Sequence, residues 1–237
     1  MKKQRLISLL ILLALLLSMG SVCVLAEDDT QEDVSDGPFE VDAKAAILID
    51  MNTGRTVYEK NIDERIYPAS LTKIMTCLLA LENGNLSDIV TIDEGAFAGL
   101  DGNSSTAGLQ VGEQLTFNDL LYCLMISSGN EAANAVAEHI AGSIPDFVRM
   151  MNERAYELGC TGTHFANPHG LHDEEHYTTV RDLVAITLAA LKSDNFRTIT
   201  NTAQDDQLLE TQITSAQLGT PVFLRNLLLN QNGRGNT

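Results

Sequence analysis

Hydrophobic and polar positions follow two different periods along this chain, first that of strands and then that of helices. The apolar run Ala45–Asp50 and the alternating segment Arg55–Lys60 flank the turn residues Asn52-Thr53-Gly54. Alternation on both sides of a glycine-containing turn is typical of a β-hairpin. We therefore predict two antiparallel strands before the first helix.

Beyond the hairpin, apolar residues recur three and four positions apart, which predicts helices. Small polar residues precede several of these segments, as at helix N-caps, and glycines follow most of them. The glycine- and serine-rich stretch 99–112 predicts a loop, and Ser127-Ser128-Gly129-Asn130 interrupts the helical pattern. The predicted helices are Ser70–Asn83, a segment capped by Thr116 and running to Met125, Glu131–Ala141, Ser143 to Leu158, and Thr179 to Leu191.

A hairpin followed by a block of helices predicts an α+β fold, with a helical cluster packed against an antiparallel sheet. The strands that complete such a sheet should follow the helices. After Lys192 the sequence offers few strand-like segments, so we expect the sheet to be incomplete in this chain.

The N-terminal residues have the parts of an export signal. Met1–Arg5 is basic, Leu6–Leu17 is apolar, and small residues precede an expected cleavage after Ala26. An uncleaved membrane anchor is the alternative, because the apolar stretch is barely long enough to span a bilayer. We predict a signal peptide over 1–26, a disordered acidic leader over 27–40, and one domain over 41–237.

The chain is strongly acidic, with a formal net charge of −17 over 237 residues, and loss of the basic signal would make it more so. Such a surface repels phosphate groups, which argues against nucleic acid as a partner. Cys77, Cys123 and Cys160 remain after cleavage, and an odd count excludes a fully paired disulfide framework. Their spacing is not that of a metal site.

Ser70 and Lys73 are the first residues that indicate chemistry. They stand three positions apart at the start of a predicted helix, so their side chains should share a face. A serine hydroxyl needs a base before it can attack a carbonyl, and burial of Lys73 would lower its pKa enough to provide one. The alternative is that Ser70 caps the helix and Lys73 is a surface charge.

Ser128 and Asn130 form a second candidate group, at the break between two predicted helices. Such a break can turn a hydroxyl and a carboxamide toward a cleft, although the same residues could simply end one helix and cap the next. Ser-x-x-Lys followed by Ser-x-Asn is the motif order of penicillin-binding proteins and related β-lactamases.

Four segments resemble the low-molecular-weight D-alanyl-D-alanine carboxypeptidases, a family of exported penicillin-binding peptidases: AAILIDMNTGRTVYEKNIDERIYPASLTKIMT, LTFNDLLYCLMISSGNEAANAVAEHIAGS, FVRMMNERAYELGCTGTHFANPHGL and HYTTVRDLVAIT. The resemblance covers roughly 41–202. It implies a penicillin-binding transpeptidase-like fold, also that of serine β-lactamases. It further implies a role in peptidoglycan biosynthesis, cell wall organisation and cell shape, at the outer face of the cytoplasmic membrane or in the cell wall.

The same resemblance implies a role for each residue of the two motifs. Ser70 would attack the carbonyl between the two terminal D-alanines of a peptidoglycan stem peptide, and Lys73 would take its proton. Ser128 would relay a proton to the departing D-alanine, and Asn130 would hold the peptide amide. A β-lactam would acylate Ser70 as a covalent inhibitor, and neither a metal ion nor another cofactor would be needed.

The sequence departs from the family pattern at the third motif. Lys-Thr-Gly should follow the second motif by about a hundred residues and supply a cation, a hydroxyl and a second oxyanion donor. No such triplet occurs, and NQNGRGNT stands at 230–237, where position counting places it. We therefore expect a C-terminally truncated peptidase domain with weakened activity, since one lost oxyanion donor costs about a hundredfold or more in rate.

Other functions remain open at this point. His172-Asp173-Glu174-Glu175-His176 matches H-x-x-E-H, an inverted zinc-peptidase signature, although it follows a turn instead of lying on an evident helix. An inactive relative could bind stem peptide or a partner without turnover. A serine β-lactamase or a serine esterase could use the same Ser-x-x-Lys pair.

Overall fold

The structure, a computed structural model, describes residues 41–102 and 104–202. The predicted hairpin is confirmed: β1 (Ala46–Ile49) pairs antiparallel with β2 (Thr56–Lys60). Its turn contains Gly54 in the left-handed region, with φ +71°. A second antiparallel pair, β3 (Ile89–Thr91) and β4 (Gln114–Thr116), was not predicted, because three residues are too few to show a period.

Five of the helices lie where the apolar period predicts them. The hydroxyls of Thr116, Ser143 and Thr179 each accept a hydrogen bond from a backbone N–H three residues later, as N-caps do. The eight-residue helix α6 was missed. The helices are α1 (Thr72–Asn83), α2 (Phe117–Met125), α3 (Asn130–Ala141), α4 (Ile144–Glu157), α5 (Val180–Ala190) and α6 (Asp194–Asn201).

Helix α1 is the centre of the helical cluster. It contacts each of the other five helices, and every residue from Thr72 to Ala80 is buried. Its apolar residues are too many for a single stripe, and it is enclosed on most sides. A helix enclosed in this way holds any side chain at its first turn against several elements at once.

The two ends of α1 differ from the prediction. The α-helix begins at Thr72, and Ser70 lies in a preceding 3-10 turn, Ala69–Leu71. Gly84 ends the helix in an extended conformation, with φ −102°, not in the left-handed one common after helices. A close approach explains the glycine, because a Cβ there would lie 2.3 Å from Phe117 Cε1.

The described elements form an α+β fold, as predicted, with β1 of the hairpin in contact with α5. Isolated bridges join Ile66 to Thr178 and His164 to Tyr177, which ties the approach to α1 to the segment before α5. Within 41–102 and 104–202, no helix is both long and apolar enough to cross a membrane. The predicted signal peptide, leader and third-motif position lie outside the described residues.

Candidate active site

Ser70 and Lys73 lie together at the N-terminal end of α1. Ser70 is half-buried, whereas Lys73 is only 2% exposed, so the surface-charge interpretation of Lys73 is wrong. The Lys73 Nζ atom lies 3.4 Å from Ser70 Oγ. Neither the 3-10 turn nor α1 has a side-chain cap, so Ser70 is not an N-cap either. Its hydroxyl instead faces the lysine.

Burial controls the charge of Lys73. It lowers the pKa of the ammonium to about 7, against a smaller opposing effect of the negative charge on Glu131. Nζ donates hydrogen bonds to Asn130 Oδ1 at 2.7 Å and to the His169 carbonyl oxygen at 2.8 Å. A neutral amine has two N–H groups and one lone pair. Since both neighbours can only accept, they occupy the two N–H groups and leave the lone pair for Ser70.

The break between α2 and α3 brings the second motif to the same place. Ser128 has φ +54°, a region that non-glycine residues seldom adopt. Its hydroxyl donates to Ser70 Oγ at 3.2 Å. Gly129 is the N-cap of α3, and Asn130 is the first helical residue, with its carboxamide turned to Lys73. The structure therefore brings all four predicted site residues together.

The segment 166–170 also lies against the site, where it contacts Lys73 and Thr76 of α1. Asn167 Oδ1 accepts hydrogen bonds from the N–H groups of His169 and Gly170, at 3.3 and 2.6 Å, which folds the turn. The Thr76 hydroxyl then donates to the Pro168 carbonyl at 2.6 Å. These bonds aim the His169 carbonyl at the lysine. The sequence indicated only a turn here.

Gly170 allows the backbone of this segment to touch the turn before Ser70. It has φ +90°, and a Cβ there would lie 1.9 Å from the Ala69 carbonyl oxygen. Ala69 itself has φ +49°. Backbone in such regions persists only when its surroundings hold it, and it is often found near functional sites.

His176 anchors the segment through both nitrogens of its ring. Its Nδ1 accepts from the Ala166 N–H at 3.0 Å, and its Nε2 lies 2.7 Å from the Thr72 hydroxyl. Both ring nitrogens are therefore occupied. His172 instead packs edge-on against Tyr67. No group of three or more His, Cys, Asp or Glu side chains among the described residues is arranged to hold a metal ion.

The three described cysteines, Cys77, Cys123 and Cys160, are free thiols and buried. Burial is the main cause that raises their pKa values, to about 12, 12 and 11 respectively. A thiol that stays protonated is a poor nucleophile, so these residues are packing residues.

The α+β fold, with Ser70 and Lys73 at the entrance to its central helix, defines the class of penicillin-binding proteins and DD-transpeptidases. The Streptomyces K15 DD-transpeptidase superimposes with a TM-score of 0.65 at 35% identity, over 69% of this chain and 66% of that one. Penicillin binding protein 5 from Haemophilus influenzae gives 0.61 at 37% identity, over 66% and 47% of the two chains.

Within that class, the chain belongs to the D-alanyl-D-alanine carboxypeptidase family, whose model matches residues 30–235. D-alanyl-D-alanine carboxypeptidase DacF of Bacillus subtilis is 43% identical over 169 residues, which are 69% of this chain and 43% of the relative. DacA of Haemophilus influenzae is 39% identical over 162 residues, 65% and 41% of the two chains. The chain thus spans less than half the length of these two relatives.

Proposed function

We propose that this chain is a serine-type D-alanyl-D-alanine carboxypeptidase that removes the terminal D-alanine from peptidoglycan stem peptides. The observation that carries the proposal is the hydrogen bonding of Lys73. Nζ donates to Asn130 Oδ1 and to the His169 carbonyl and lies 3.4 Å from Ser70 Oγ. When the amine is neutral, those two acceptors occupy its N–H groups, and its lone pair is available to Ser70. A buried amine held in this way is a general base for the serine.

Acylation is the first half of the proposed reaction. Lys73 Nζ takes the proton of Ser70 as Oγ bonds to the carbonyl carbon between the two D-alanines, and the carbonyl electrons move to its oxygen. The Ser70 N–H is the candidate donor to that oxyanion. When the carbonyl reforms, the C–N bond breaks. Ser128 gives its proton to the departing amine and takes the proton held by Lys73, which becomes a neutral base again.

Hydrolysis of the acyl-enzyme completes the cycle. Water loses a proton to the site base and attacks the ester carbon, the bond to Ser70 Oγ breaks, and the serine recovers its proton. A β-lactam enters by the same first step, but its broken amide stays tethered to the acyl group. Penicillin-type compounds are therefore proposed as covalent inhibitors.

We also propose export through residues 1–26, action at the outer face of the cytoplasmic membrane or in the cell wall, and a part in wall trimming and cell shape.

Mass spectrometry of the chain incubated with benzylpenicillin tests the proposal. The expected result is one added penicillin per chain, mapped to Ser70 and absent from the Ser70→Ala variant. No adduct after hours at millimolar penicillin would contradict the proposal and favour an inactive binding relative. Release of hydrolysed penicillin with rapid turnover would favour a β-lactamase.

A further inference from the structure

Glu131 is a buried carboxylate directly beside the second motif that the proposed reaction does not yet use. It is 1% exposed and lies in the first turn of α3, next to Asn130. Carboxylates are almost never fully buried unless their surroundings hold them. The position of this one therefore calls for a specific role.

One carboxylate oxygen of Glu131 organises a loop. Its Oε1 accepts three hydrogen bonds, from the Thr106 hydroxyl at 2.6 Å, the Ala107 N–H at 2.6 Å and the Gly108 N–H at 3.0 Å. Gly108 has φ +83°, so this backbone is bent around the carboxylate. Three donors on one oxygen fix residues 106–108 in a single arrangement.

The loop held by Glu131 supports the turn that carries Ser128. The Ser105 carbonyl accepts from the Asn130 N–H at 2.9 Å. A Cβ on Gly129 would lie 3.1 Å from Ala107 Cβ, so the loop packs directly on that residue. The left-handed conformation of Ser128 is thus backed by a segment that Glu131 holds in place.

The charge of the Glu131 carboxylate affects the protonation of Lys73. Glu131 Oε2 is buried and has no hydrogen-bond partner among the described residues. Its charge opposes the effect of burial on Lys73 and favours the ammonium form. Other titratable groups that face this pair are His169, from the segment 166–170, and Cys123, from α2.

We propose that Glu131 is a positioning residue with two separable tasks. Through Oε1 it fixes the loop behind Ser128, and through its charge it stabilises the ammonium that forms when Lys73 takes the serine proton. This inference rests on the proposed acylation of Ser70. The two tasks predict different acylation rates for a variant that keeps an acceptor at Oε1 and for one that removes the whole carboxylate.

The test compares Glu131→Gln and Glu131→Ala, with Glu138→Gln as the matched control two turns further along α3. Glutamine keeps an acceptor at Oε1 but loses the charge. We expect the acid limb of its penicillin-acylation rate to move to lower pH by about half a unit or more, with a plateau reduced roughly tenfold. Glu131→Ala should lose at least as much rate at every pH, and Glu138→Gln should match the wild type.

A second readout does not depend on activity. The pKa of Lys73, followed by ¹³C NMR of its ε-carbon, should fall in Glu131→Gln relative to the wild type and stay unchanged in Glu138→Gln. Equal pKa values and equal pH profiles in Glu131→Gln and the wild type would overturn the inference. If wild-type Ser70 is never acylated, the proposed function fails. The NMR titration of Lys73 still decides whether the charge of Glu131 acts on Lys73.

Discussion

At the scale of single residues, the reactivity of Ser70 depends on the protonation state of Lys73. Ser70 is an ordinary hydroxyl until a neutral amine stands beside it. Burial lowers the pKa of Lys73 to about 7, so the uncharged amine is present at neutral pH. The motif residues could be predicted from their spacing and motif order. The hydrogen bonds that Lys73 donates to Asn130 and to the His169 carbonyl could not, because these partners come from distant parts of the sequence.

Ser128 should matter far more than its neighbour Ser127. Its hydroxyl lies 3.2 Å from Ser70 Oγ, where it can pass a proton to the leaving group. Ser128→Ala is expected to lower the penicillin-acylation rate roughly a hundredfold, as loss of a proton-transfer group does. Ser127→Ala, which removes the adjacent half-buried hydroxyl, should change the rate less than about threefold. Equal rates in the two variants would contradict the assigned role.

At the scale of elements, capped helices with a clear apolar stripe were predictable, and short elements were not. Three-residue strands and the eight-residue α6 are held by tertiary contacts more than by their own pattern. The extended Gly84 shows the same limit, because the close approach of Phe117 explains the glycine. Tertiary contacts also explain the turn 167–170. Side chains of α1 donate hydrogen bonds to its backbone carbonyls.

Gly170 tests how closely this turn must approach the start of α1. In Gly170→Ala, the new Cβ would lie 1.9 Å from the Ala69 carbonyl, so the backbone before Ser70 must move. We expect a loss of about 3 kcal/mol or more in the free energy of unfolding, with strongly reduced acylation.

Gly99→Ala is the control for Gly170→Ala. Gly99 has a similar positive φ, +70°, but open space around its Cβ position. It should lose only about 1 kcal/mol, the conformational cost alone. Urea unfolding measures both variants, and equal losses would show that the contact with Ala69 is unimportant.

At the scale of the whole molecule, two buried histidines link stability to pH. The pKa values of His169 and His176 are both lowered to about 4, first of all by burial. The unfolded chain takes up protons near pH 6.5, whereas the folded chain does not until about pH 4. Stability from these groups is therefore full above pH 6.5 and is lost as the pH falls toward 4.

His176→Gln should reduce this pH dependence. The wild type should lose on the order of 3 kcal/mol between pH 7 and pH 4 from His176 alone. The variant is compared with itself at the two pH values, so a constant change in its stability does not affect the result. Thermal or urea unfolding at both pH values provides the measurement. An unchanged pH dependence would mean that His176 is not held neutral by burial.

The central claim is that Lys73 is an uncharged amine poised to take the Ser70 proton. A ¹³C NMR titration of the lysine ε-carbons, with the Lys73 signal assigned by its loss in Lys73→Met, tests it most directly. The account predicts a midpoint of about 7, far below the 10.5 of an ordinary lysine. A midpoint near 10.5 would leave the serine without a base and contradict the account.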